Sequence, residues 1–125
     1  MKKSYKGSFF YEIEGPSAPL IDLYETEDEL VFEVDLPGIN PDDLSLGVYD
    51  DLLILEGVRR EEKPERPEGF LKYLCMERSS QGFRRVVRIP IPVNTLAGRA
   101  SYANGVMTVR FPKLKGKLIR IPVER

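Results

Sequence analysis

Between residues 20 and 112 the apolar side chains recur at every second position, in short runs that end at proline, glycine or paired Asx residues. A chain written this way offers one apolar face per strand and must bury that face against a second layer. Leu30, Phe32 and Val34 share a face in one run. Leu36-Pro37-Gly38-Ile39-Asn40-Pro41 then breaks it, since neither proline nor glycine suits a central ladder position. Leu44, Leu46 and Val48 alternate with Ser45, Gly47 and Tyr49, and the Asp50-Asp51 turn leads straight into Leu52–Leu55, which predicts a hairpin. Phe83, Arg85, Val87 and Ile89 share a face in the next run, which Pro90 ends. Asn104-Gly105, between Arg99–Ala103 and Val106–Phe111, is the strongest turn signal, because a type I′ turn needs positive φ at both positions. Helical period is absent beyond a short turn at Pro41-Asp42-Asp43. Many short strands at regular spacing predict an all-β sandwich.

One stretch resists that scheme. Residues 58–69 are charged and carry two prolines, and Phe70–Met76 reads as a strand that follows them. A connection over residues 58–82 is too long for a compact domain unless its middle strand pairs elsewhere. Phe70-Leu71-Lys72-Tyr73-Leu74-Cys75-Met76 is suited to add itself to a neighbour's exposed sheet edge through main-chain hydrogen bonds. A third hairpin within the same subunit is the alternative.

The chemistry of the chain points away from catalysis. It has no histidine, which removes the commonest general base and transition-metal ligand. A lone cysteine, Cys75, builds neither a zinc site nor an intrachain disulfide and suits a reducing compartment, so the cytoplasm is expected. No glycine-rich phosphate loop is present, and the carboxylate pairs Asp42-Asp43, Asp50-Asp51 and Glu61-Glu62 all fall in turns or loops. No cofactor, metal or catalytic residue is expected, and the chain is read as a non-enzyme. Its formal net charge of −1 gives no long-range attraction to nucleic acid and leaves self-association unopposed. No apolar run approaches a membrane span, and no apolar core follows the basic Met1-Lys2-Lys3 start, so neither membrane insertion nor a secretory signal is expected.

Several motifs occur in order: residues 19–38, ending Val34-Asp35-Leu36-Pro37-Gly38; residues 77–90, with Glu77-Arg78-Ser79-Ser80 and Phe83-Arg84-Arg85 before Ile89-Pro90; and Ala100 to Lys113, with Ala103-Asn104-Gly105-Val106-Met107. Together they resemble the α-crystallin domain of the small heat shock proteins, in its bacterial, archaeal and plant form, over roughly residues 19–113. The resemblance implies an immunoglobulin-like β-sandwich with a strand-swapping long loop. It implies an ATP-independent holdase that traps partly unfolded proteins and assembles as dimers and higher oligomers. Its partners would be further copies of itself and unfolded client proteins. The dimer interface it implies comprises Phe70, Leu71, Tyr73, Leu74, Cys75, Glu77 and Arg85.

Residues 114–125 then form a C-terminal extension whose Ile119-Arg120-Ile121 resembles the family's Ile-x-Ile assembly motif. By the same resemblance it docks in a neighbour's groove between the Leu44–Tyr49 and Arg99–Ala103 strands, walled by Leu44, Leu46, Val48 and Ala100. Ile121 and Val123 share the same spacing and offer a second register; a strand added to the tail's own sheet is a further alternative. Gly98 stands where the family tends to carry an aliphatic residue. Residues 1–18 form a short N-terminal arm whose Tyr5, Phe9, Phe10, Tyr11 and Ile13 suit low-specificity capture of unfolded clients, or cover one edge of the sandwich. The competing function is a single-partner adaptor or co-chaperone on the same sandwich; the tail motif and the long loop speak against it.

Overall fold

The computed structural model describes residues 10–14, 18–61, 69–116 and 118–125. The strands are β1 (Phe10–Glu14), β2 (Ile21–Glu25), β3 (Glu29–Asp35), β4 (Leu44–Tyr49), β5 (Leu52–Arg59), β6 (Gln81–Arg88), β7 (Arg99–Ala103) and β8 (Val106–Pro112). They form two four-stranded antiparallel sheets, ordered β1-β6-β5-β4 and β2-β3-β8-β7. Short 3-10 turns lie at Pro41–Asp43, as the sequence predicts, and at Thr95–Ala97.

The alternation read from the sequence decides which side of each strand is buried. Leu30, Phe32 and Val34 of β3 lie opposite Phe111, Val109 and Met107 of β8, and all six are buried. In the other sheet Leu53 pairs with Val87 and Gly57 with Phe83. These two faces meet in one core, where the Phe32 and Phe111 rings pack edge to face with centroids 6.1 Å apart. Leu36 and Ile39 are buried too, so the Leu-Pro-Gly break contributes to the core as well as ending β3. It is pinned to the β7–β8 hairpin: the Leu36 N–H donates to the Gly105 carbonyl at 2.7 Å, and the Tyr102 hydroxyl donates to the Leu36 carbonyl at 2.6 Å. Asn104 and Gly105 have φ of 54° and 77°, as the type I′ turn requires.

One expectation needs correction. Phe10–Glu14, placed in an arm outside the sandwich, is a strand that pairs with β6 and forms the edge of that sheet. Phe70–Met76 forms no strand within the subunit, so the third hairpin named as the alternative is not formed. Arg85 is 3% exposed. Its place on the inward face of β6 beside Phe83 and Val87 carries the guanidinium into the core, where Nη1 donates to the Pro19 carbonyl. Burial lowers the pKa of Arg85 by desolvation, and the guanidinium keeps its charge at neutral pH.

Candidate functional site

Two apolar features of the subunit lack cover. The first is the long loop. Phe70 and Leu74 are 86% and 90% exposed, and Leu71, Tyr73, Cys75 and Met76 are exposed as well. Glu77 is exposed beside them. An exposed segment of this composition can add to another strand's edge through main-chain hydrogen bonds. One open edge is β2, the outermost strand of its sheet. On β2 the Tyr24 hydroxyl donates to Glu33 at 2.8 Å; that bond, with smaller contributions from desolvation and from the carboxylate's charge, raises the pKa of Tyr24.

The loop has a closed neck. The Arg78 guanidinium pairs with the Glu61 carboxylate, and the Glu61 N–H donates to Ser80 Oγ at 3.0 Å. Arg60 Nε lies 3.3 Å from Asp43 Oδ1, which ties the loop's first end to the Pro41–Asp43 turn. Composition gave no reason to single out Glu61 or Ser80. The available signal was opposite charge at the two ends of one long connection, Arg60-Glu61 and Arg78.

The second feature is a groove of about 520 Å³ between the β4 edge and the start of β7. Leu46, Val48 and Ala100 line it, together with Leu53, Leu96 and Phe111. Leu44 does not. It lines a separate hollow with Asp42, Glu56, Gly57 and Phe83, at the other end of β4. The inward period correctly gives Leu44 the same side of the strand as Leu46, but the second wall reaches only as far as the 3-10 turn and the first residues of β7. Sequence reasoning missed that turn, with its fully exposed Leu96, and also missed Asp50 at the rim.

Gly98 explains how the groove keeps its floor. A Cβ at residue 98 would lie 2.6 Å from Phe111 Cε1, so the buried Phe111 ring occupies the space that a side chain there would need. Gly98→Ala is therefore expected to destabilise the domain by about 1–3 kcal/mol through overpacking. Chemical denaturation should show a smaller cost for the same change in a Phe111→Leu background, where the ring is gone; an equal cost would mean that the ring is not the obstacle.

The tail leaves this groove empty. Ile119 and Ile121 are 76% and 82% exposed, and residues 118–125 join no strand. Tyr5 and Phe9 of the arm lie outside the described residues; Phe10, Tyr11 and Ile13 fall within β1. Among the described residues no cluster of acidic, cysteine or histidine side chains is arranged to hold a metal, and no helix is long and apolar enough to cross a membrane.

Comparison with known proteins places this architecture. The chain is 35% identical over 107 residues to spore protein SP21 of Stigmatella aurantiaca, covering 84% of this chain and 62% of that protein. It is 35% identical over 114 residues to the 17.6 kDa class I heat shock protein 1 of Arabidopsis thaliana, covering 85% and 72% of the two chains. Among solved structures it superposes on heat shock protein 16.0 from Schizosaccharomyces pombe with a TM-score of 0.66 at 28% identity, over 85% of this chain and 81% of that one. A small heat-shock protein from Xylella fastidiosa gives a TM-score of 0.65 at 28% identity, over 86% and 97%. A model of the Hsp20/alpha crystallin family matches residues 22–124, nearly all of the sandwich after β1 together with most of the tail. The chain belongs to the Hsp20/alpha crystallin family.

Proposed function

We propose that the protein is an ATP-independent holdase, which binds partly unfolded chains and keeps them from aggregating, and that it works as an assembly of its own copies. The observation that carries this reading is the pair of uncovered apolar features on one subunit: the exposed Phe70–Met76 segment, and an open groove beside a tail that does not fill it. In the assembly, Phe70–Met76 adds to the free β2 edge of a second subunit, and Glu77 follows it into the interface. Arg85 acts from below, holding the Pro19 segment that leads into β2. Ile119 and Ile121 fill a neighbour's groove. The α-crystallin domain over 19–113 thus assembles through its loop and through the 114–125 extension, while residues 1–18 supply the aromatic groups for client capture, with Phe10–Glu14 also closing the β6 edge. The Xylella relative is described as having a distinct high order structure, which supports assembly in this family. The setting is the cytoplasm, where Cys75 stays reduced.

Light scattering from an unrelated, heat-destabilised client tests the function, with this protein added at near-equal mass and no nucleotide. Suppressed scattering is the expected result. Undiminished scattering would remove the holdase and leave a single-partner adaptor on the same sandwich.

A further inference from the structure

The groove carries charge as well as apolar surface, and the charges are unevenly matched. Its lining includes one acid, Asp50, and one base, Arg99. Arg99 is held by Glu29 at 3.3 Å, and Asp51, next to Asp50, is held by Arg88 at 3.3 Å. Among the described residues Asp50 has no ion pair. It sits at the tip of the β4–β5 hairpin with φ of 53°, a left-handed conformation that Asp and Asn adopt more readily than other side-chain-bearing residues. The turn thus displays one unmatched carboxylate at the mouth of an apolar groove.

The tail offers two apolar pairs of the right spacing, Ile119 with Ile121 and Ile121 with Val123. Side chains alternate along an extended segment, so the residue between two docked ones points back toward the mouth. In the first register that residue is Arg120; in the second it is Pro122. Only the first places a cation between the two docked side chains, the position that faces the rim carrying Asp50. Resting on the tail-docking reading above, we infer that Asp50 selects the register of the tail from a second copy of this chain, by pairing with Arg120 while Ile119 and Ile121 fill the groove.

The test uses the full chain and a double-mutant cycle. Asp50→Asn removes the charge and keeps a residue that tolerates the turn's positive φ, and Arg120→Gln removes the partner. The readout is the concentration at which the assembly dissociates on dilution, followed by light scattering, beside the unfolding midpoint of the domain. Each single change should weaken docking about 1.5- to 5-fold per tail, multiplied across the several tails of an assembly, and leave the unfolding midpoint in place. The double variant should be no weaker than either single, and added salt should shrink the difference from the parent. Val123→Ala should leave the dissociation concentration unchanged. Independent, multiplying effects of the two substitutions would overturn the pairing, and sensitivity to Val123→Ala equal to that of Ile119→Ala would overturn the register. If Ile119→Ala with Ile121→Ala leaves the assembly intact, the docking reading itself fails; if that pair disrupts assembly while the charge cycle shows no coupling, the Asp50 proposal fails alone.

Discussion

Replacing Ile119 and Ile121 together by alanine is expected to reduce the assembly to dimers. Both side chains are exposed on the isolated subunit, and burying each in an apolar groove contributes about 1.5–3 kcal/mol. Ordering the tail costs about 1–2 kcal/mol for each residue fixed, so the net attraction of one tail is small. Most of the isoleucine contribution disappears in the double variant, and the ordering cost then exceeds what remains. The proposed strand exchange through Phe70–Met76 does not involve the tail, so on that proposal the dimer should survive. Native mass spectrometry or multi-angle light scattering reads the result directly. A monomeric product would mean that the tails, and not the loop, hold the dimer.

Phe32→Ala should be the most damaging single change in the sandwich. The ring is fully buried, meets Phe111 edge to face, and belongs to the core cluster shared by the two sheets. Truncating such a residue costs about 3–5 kcal/mol, against a typical total of about 5–15 kcal/mol for a domain. Urea denaturation should show a large fall in midpoint. Tyr49→Ala, at an exposed position on β4, should stay within about 0.5 kcal/mol of the parent. A small loss from Phe32→Ala would contradict a core closed between the two sheets.

How far the sequence reveals this molecule depends on whether a feature is local. Alternation is local, and it correctly placed β3, β4, β6 and β8 and the inward sides of Phe32, Leu46 and Val87. It also put Arg85 on the same face as Phe83 and Val87, and the burial of Arg85 follows that period. Phe10–Glu14 went unseen as a strand because its strand state depends on the free edge of β6, which no local pattern announces. Phe70–Met76 is the converse case: its local preference is extended, but ladder hydrogen bonds require a second strand, and no described strand of the subunit supplies one. The groove was legible in part for a related reason. Period two fixes the side of β4 from which Leu44, Leu46 and Val48 project, while the reach of the opposite wall is set by how the Thr95–Ala97 turn packs.

The closed neck of the long loop has a consequence for how such proteins diversify. Because Glu61 meets Arg78 and Ser80, the two ends of the excursion are joined by contacts that do not depend on what lies between them. Doubling the length of a closed flexible loop adds only about 0.6 kcal/mol of closure entropy. Insertions and deletions between the two ends should therefore alter how far the Phe70–Met76 segment reaches without retuning the core. If that segment joins a neighbour as proposed, the neck separates the evolution of assembly geometry from the evolution of the fold.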